Sequence, residues 1–126
     1  MKKFIAWLMA VPLLYAPYLF AADVQAGADS FAANCVVCHS MANPLKTKVG
    51  PGLYGVVDRP SASVAGFQYS DALKASNIIW TKKNLDTYLT DPAAMIPNNK
   101  MPFKGLSSAS ERENIIEFLA QKKDKK

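Results

Sequence analysis

The hydrophobic and polar positions of this chain follow a helical period at both ends of its polar region. Between residues 24 and 34, the apolar positions fall on one helical face, namely Ala28, Phe31 and Ala32. Near the C terminus, Ser108 and Glu111 form a capping-box pattern ahead of an apolar face made of Ile115, Ile116, Phe118 and Leu119. The pattern therefore predicts one helix near the start of the domain and another at its end.

The middle of the chain is rich in glycine and proline and predicts mostly loop. Two short helices follow it, because Ser70 can cap a helix over residues 71–75 and Thr81 can cap one over residues 82–90. Pro92 ends the second of these. No segment has the strict alternation of a strand. The predicted fold is a single small all-α domain whose long loops wrap around a bound group.

The N terminus has the order of residues that is typical of a secretory signal peptide. Two lysines come first, an apolar run over residues 4–20 follows, and small residues come after it. The pattern predicts a leader over residues 1–22, with cleavage near 22 or 26, and a domain over residues 23–126. The apolar run is also just long enough to span a bilayer, so an uncleaved anchor remains open. The expected location is the periplasm.

Length and charge narrow the class of protein further. The whole chain has 126 residues and a formal net charge of +5, of which the leader supplies two lysines. Without the leader there is room for one small domain with a thin core, which a cofactor would help to fold. No basic run is interleaved with aromatic residues, so nucleic-acid binding is not expected.

Five consecutive residues, CVVCH from Cys35 to His39, hold both cysteines and the only histidine. In an exported protein the cysteines could form a disulfide. A thioredoxin-like redox pair would need a βαβ context that the pattern does not predict, and zinc would need more ligands than these. Cys-x-x-Cys-His is the pattern of c-type haem attachment, in which two thiols bond the porphyrin and the histidine binds the iron. We therefore expect a covalently attached haem.

A haem iron bound by His39 needs a second axial ligand, and no second histidine exists. Met41 lies too close to His39 to reach the opposite side of the ring. Met95 and Met101 both lie in the segment DPAAMIPNNKMPFKG, which its prolines are expected to hold extended. Residue chemistry leaves both open and slightly favours Met101, which precedes Pro102.

From Gly27 to the end of the last helix, the chain resembles class I cytochrome c, and in particular the bacterial c2 and mitochondrial-type carriers. The matching stretches are CVVCH, VGPGLYGVVDR, GFQYSDAL, the Trp80 region, LDTYLTDP, IPNNKMPF and ERENIIEFL. The resemblance implies haem attachment through Cys35 and Cys38, with His39 and Met101 as axial ligands. It also implies that Gly27 and Phe31 pack against Phe118.

The same resemblance implies roles for residues around the haem. The carbonyl of Pro51 would orient the His39 ring, Tyr69 and Trp80 would bond a propionate with Arg59 nearby, and Tyr88 would approach the Met101 sulfur. The chain departs from the usual family pattern at three positions, where Gly52 and Leu73 replace asparagines and Asn99 replaces a hydroxyl residue. These departures bear on the hydrogen bonds inside the site.

The implied function is one-electron transfer by a monomer. Its donor would be a membrane complex such as cytochrome bc1, and its acceptor a terminal oxidase or a reaction centre. The alternative is a haem peroxidase-like or gas-binding enzyme in which the methionine ligand dissociates. Such an enzyme would want a distal acid–base group, and no histidine remains to supply one.

Overall fold

The computed structural model describes residues 21–124, whose regular structure is helical. Five helices follow in chain order: α1 (Val24–Asn34), α2 (Asp71–Ser76), α3 (Lys82–Thr90), α4 (Pro92–Met95) and α5 (Ala109–Gln121). Within the described range there is no strand, and an isolated antiparallel bridge joins Pro60 to Ile79. The predicted all-α fold is confirmed.

Every helix begins at a residue whose side-chain oxygen accepts a backbone N–H of its first turn. Ser70, Thr81 and Ser108 do this for α2, α3 and α5, at 3.0, 3.1 and 3.2 Å respectively. These three caps were expected from sequence, because hydroxyl side chains satisfy amides that have no partner within the helix. Asp23 and Asp91 cap α1 and α4 in the same way.

The capping box predicted for α5 forms only on one side. Ser108 Oγ accepts the Glu111 N–H, but the Glu111 carboxylate turns towards α1. There it accepts hydrogen bonds from Ser30 Oγ and from Asn34 Nδ2, the latter at 3.4 Å. The carboxylate therefore joins the two terminal helices instead of completing its own cap.

The crossing of α1 and α5 forms one side of the core. A Cβ added to Gly27 would lie 2.0 Å from the Asn114 carbonyl oxygen, so only glycine lets the two backbones approach this closely. Next to it, the rings of Phe31 and Phe118 lie 5.5 Å apart. The packing implied by the resemblance is present. Ile115, with 1% exposure, is the most buried residue of the adjoining core.

The prediction of one extended loop after α3 is wrong in its first part, where residues 92–95 form α4. Proline is tolerated at the first position of a helix, because its missing N–H would have no helical partner there. Asp91 stabilises the turn by accepting the Ala94 N–H at 3.0 Å. Pro92 consequently ends α3 and starts α4, and the helix buries Pro92 in the core.

The long segment between α1 and α2 is held against the residues that precede α3. The Asp58 N–H donates to the Trp80 carbonyl and the Trp80 N–H donates to the Arg59 carbonyl, both at 2.9 Å. These bonds place Arg59 beside Trp80. Residues 1–20 of the predicted leader lie outside the described range. Within residues 21–124, no helix is both long and apolar enough to cross a membrane.

Candidate cofactor site

The CVVCH segment continues the course of α1 for one further turn. The Cys35 N–H donates to the Phe31 carbonyl at 2.8 Å. The amides of Cys38 and His39 both donate to the Cys35 carbonyl, at 3.1 and 2.9 Å. Since both bonds return to one carbonyl, the two thiols and the imidazole are carried on a single turn of backbone.

The orientation of the His39 ring is set by Pro51. The distance from His39 Nδ1 to the Pro51 carbonyl oxygen is 2.8 Å. A carbonyl oxygen can only accept a hydrogen bond, so Nδ1 carries the proton and Nε2 keeps its lone pair for a metal. Burial lowers the pKa of His39, with Lys48 adding to the effect and the Pro51 bond opposing it. The neutral, ligand-competent imidazole is thereby favoured.

Two adjoining cavities, of about 330 and 180 Å³, surround this histidine. They share five lining residues, namely Cys38, His39, Leu53, Met101 and Pro102. Together they fall in the size range of small-molecule sites, about 300–1,000 Å³. The larger cavity is lined by eight of the nine residues singled out from sequence, and Cys35 lines the smaller one. A slot with two thiols, an imidazole and a thioether on its walls fits a covalently attached haem.

The two methionines of the segment after α3 have different surroundings. Met101 lines both cavities. Met95 lies at the end of α4 and packs, partly buried, against the hydrophobic core, as Met41 also does. Neither of these two methionines lines either of the two cavities described above. Residue chemistry left Met95 and Met101 open with a slight preference for Met101, and the fold gives them different surroundings because α4 packs Met95 against the core.

Arg59 and Tyr69 form a polar part of the larger cavity wall. Arg59 donates to the carbonyls of Gly52 and Tyr54, at 2.9 and 3.0 Å. Burial lowers the pKa of Arg59, and Tyr69 acts in the opposite direction. The Tyr69 hydroxyl accepts the Val64 N–H at 3.1 Å, which leaves its own proton available to an acceptor in the cavity.

Trp80 and Tyr88 form an aromatic part of the same wall. Their ring centroids lie 4.9 Å apart with the planes tilted by 53°. Burial raises the pKa of Tyr88 to about 12. The phenol is therefore neutral at physiological pH and can donate a hydrogen bond into the cavity.

The chemistry of the two thiols argues against a redox pair. Burial, followed by the nearby charges of Glu111 and Cys38, raises the pKa of Cys35 to about 11. Such a thiol is almost entirely protonated at neutral pH, whereas reactive redox cysteines have depressed pKa values. Cys35 and Cys38 are also not bonded to each other. In the described part of the chain, no group of three or more His, Cys, Asp or Glu residues could hold a metal ion such as zinc.

Sequence reasoning missed the part that Gly50 plays in the site. A Cβ at this position would lie 2.4 Å from His39 Cε1, so the imidazole packs directly on the glycine backbone. The signal was the Gly50-Pro51 pair, whose proline is the residue that orients the ring. Of the three departures from the family pattern, Leu73 lines the larger cavity, and a Cβ on Gly52 would meet Leu45 Cδ2 at 2.8 Å.

The chain is similar to known proteins of one family. The family model for cytochrome c matches residues 24–123, which is most of the chain. The chain belongs to the cytochrome c family. It is 46% identical to a cytochrome c2 of Rhodoplanes tepidamans over 99 residues, covering 79% of this chain and 92% of the relative. It is 42% identical to cytochrome c-550 of Nitrobacter winogradskyi, covering 79% and 90% of the two chains.

A third relative of this cytochrome is longer. The cytochrome c-type cyt cy of Rhodobacter capsulatus is 42% identical over 103 residues, which is 82% of this chain and 51% of the relative. Members of the family carry covalently attached haem c and transfer electrons, so the predictions of a haem c cofactor and of an electron-transfer protein rather than an enzyme are confirmed.

Proposed function

We propose that this cytochrome is a one-electron carrier whose haem c is attached through Cys35 and Cys38 and ligated axially by His39 and Met101. The observation that carries the proposal is that a histidine already oriented by Pro51 and one methionine line the same cavities as both cysteines. When bound, haem c supplies an iron that changes between the ferric and ferrous states by one electron.

The axial residues suit electron transfer because each is held by its surroundings. The 2.8 Å bond from His39 Nδ1 to Pro51 fixes the ring and raises the basicity of Nε2. Packing on Gly50 limits rotation of the same ring. The Met101 thioether is a soft ligand that favours the ferrous state and raises the reduction potential. With both of these ligands bound, the iron would have no coordination position left for a substrate.

The polar wall of the larger cavity suits the carboxylates that a haem carries at its edge. Arg59 supplies a positive charge, and Tyr69 and Trp80 each carry a hydrogen-bond donor on this wall. Tyr88 is buried and neutral, which suits a hydrogen bond towards the Met101 sulfur. The cavity walls would also exclude water from the iron, which favours the less charged ferrous state.

The proposed setting is the periplasm, reached through the leader over residues 1–22. There the protein would act as a monomer between a membrane-bound donor such as a cytochrome bc1 complex and an acceptor such as a terminal oxidase or reaction centre. The cytochrome c2 relatives and the leader pattern support this setting. Val37 of the attachment segment and Val49 of the larger cavity wall are 74% and 72% exposed, so a partner would meet apolar side chains at both positions.

The axial assignment is tested by comparing Met101→Ala with Met95→Ala in protein matured in an exporting host. Met101→Ala should abolish the methionine–iron charge-transfer band of the ferric protein, lower the reduction potential and admit carbon monoxide to the ferrous iron. Met95→Ala removes a thioether from the core, so it should keep the band and cost about 1–3 kcal/mol of stability. Loss of the band in the Met95 variant alone would contradict the assignment.

The attachment is tested with the Cys35→Ala/Cys38→Ala double variant. Two thioethers survive acid–acetone extraction, whereas axial bonds alone do not. The double variant should therefore lose all of its haem to the organic phase, and each single variant should keep at most one thioether. The measurement is the amount of haem that stays in the protein pellet after extraction. Retention of haem by the double variant would show that another residue is covalently bonded to the haem.

A further inference from the structure

Asn99, two residues before the proposed methionine ligand, makes three side-chain hydrogen bonds. Its Nδ2 donates to the carbonyls of Pro92 and Ile96, at 3.1 and 2.8 Å. Its Oδ1 accepts the backbone N–H of Met101 at 2.8 Å. Two carbonyls face one end of the carboxamide and an amide N–H faces the other, so only this orientation of the side chain satisfies all three partners.

The partners of Asn99 Nδ2 belong to the most firmly held part of this region. Pro92 is among the most fully buried side chains of the described residues, and Ile96 is 5% exposed. The Ile96 N–H also donates to the Pro92 carbonyl at 2.9 Å, which closes the end of α4. The carboxamide therefore connects the backbone of Met101 to a turn that the core holds in place.

The Met101 loop, which we define as residues 99–106, has a second anchor at its far end. A Cβ on Gly105 would lie 2.0 Å from the Thr90 carbonyl oxygen, and the Leu106 N–H donates to the Leu89 carbonyl at 2.8 Å. That anchor lies four to five residues beyond Met101, whereas Asn99 lies two residues before it. Asn99 is thus the nearer point at which the ligand backbone is tied to the helices.

We propose that Asn99 is a positioning residue that keeps Met101 on the iron by clamping its backbone to α4. This inference rests on the proposed function, in which Met101 is the axial ligand. The clamp limits how far the Met101 backbone can move away from the site. It therefore sets the small fraction of molecules in which the sixth coordination position is open. A hydroxyl at this position could not donate to two carbonyls while accepting from Met101, because it carries a single proton.

The open fraction can be measured by the binding of imidazole to the ferric holoprotein. An added ligand that binds only the open form has an apparent affinity that scales with the fraction open. Each hydrogen bond of this kind is worth from about twofold to about tenfold in an equilibrium. The clamp opens when either of its ends is released, and the weaker end is the single bond to the Met101 N–H. Asn99→Ala should therefore make imidazole bind about twofold to tenfold more tightly.

Asn99→Asp separates the two ends of the clamp. The carboxylate keeps an acceptor for the Met101 N–H but loses both donors and places negative charge against two carbonyls. It should therefore bind imidazole at least as tightly as Asn99→Ala, and agreement between the two variants excludes an effect of charge alone. Asn98→Gly is the matched control, because it removes the neighbouring carboxamide at a position whose φ of 65° glycine adopts without strain.

The outcomes are distinct. Tighter imidazole binding by Asn99→Ala and Asn99→Asp, with Asn98→Gly unchanged, supports the clamp. Wild-type affinity in Asn99→Asp would overturn it, because the bonds to α4 would then be dispensable. Equal tightening in Asn98→Gly would also overturn it, by showing that any change loosens the loop. A wild-type protein without the methionine–iron band would instead refute the axial assignment itself.

Discussion

Arg112 offers a test of how the Met101 loop is held at its far end. This arginine of α5 is 8% exposed. Its Nε donates to Asp86 Oδ1 of α3 at 2.7 Å, and its Nη1 donates to the carbonyls of Leu106 and Ser107 at 2.8 and 3.1 Å. Arg112→Met keeps an unbranched aliphatic side chain in the core and removes all three donors.

The two kinds of bond should contribute unequally. The Asp86 side chain is 49% exposed. Water can therefore hydrate this carboxylate when Arg112 is replaced, so loss of the ion pair should lower the free energy of unfolding by about 0–1 kcal/mol, as for a surface ion pair. Hydrogen bonds from a charged donor are worth about 1.5–3 kcal/mol each, less where water can replace them. With two carbonyls left without their donor, we expect Arg112→Met to lower the free energy of unfolding by about 2–4 kcal/mol.

Urea denaturation of the ferric holoprotein measures this difference, with Asp86→Asn as the matched control. Asp86→Asn removes the charge of the pair and leaves the carbonyl bonds in place, so it should cost at most about 1 kcal/mol. Equal costs for the two variants would show that the ion pair dominates and would refute the reasoning. A cost below about 1 kcal/mol for Arg112→Met would show that water replaces the guanidinium at both carbonyls.

Two further predictions concern the helix crossing and an aromatic wall residue. Gly27→Ala should destabilise the protein by about 1–3 kcal/mol in urea denaturation, although alanine is the better helix former, because its Cβ would meet the Asn114 carbonyl; a gain in stability would contradict the close crossing. Burial raises the pKa of Tyr88 from 10.0 to about 12, so the folded state keeps a proton that the unfolded state releases. The resulting stabilisation is complete below pH 10 and is lost between pH 10 and 12, by up to about 1.4 kcal/mol per pH unit. Tyr88→Phe should reduce this slope in pH-dependent denaturation, and an unchanged slope would show that the phenol is not buried as a neutral group.

Local residue patterns were sufficient to predict the helices whose ends are set by nearby side chains. Ser70, Thr81 and Ser108 cap α2, α3 and α5 as expected, because a hydroxyl bonds an amide only three residues away. The attachment segment could also be predicted locally, because the spacing of the two cysteines and the histidine within CVVCH is the pattern of haem attachment. The resemblance to cytochrome c also allowed the residues that line the cavities to be predicted from the sequence.

Features that depend on the approach of distant segments required the tertiary structure. Glu111 had a local partner in its capping box, yet its carboxylate bonds Ser30, which is far away in sequence. From the sequence, Pro92 could either end a helix or start one. In the structure it does both, because its ring is buried and Asp91 caps the new helix α4. The clamp made by Asn99 exists only because α4 forms.

The amino-acid sequence by itself determined the fold class, the attachment motif and the pair of methionines that could complete the site. The tertiary structure gave those methionines different surroundings, because the turn of α4 packs Met95 against the core and leaves Met101 on the cavity wall. Periodicity and capping act over three or four residues, so they are readable along the chain. Which side chain reaches a cavity depends on backbone contacts between segments that are far apart in sequence, and those contacts exist only once the chain has folded.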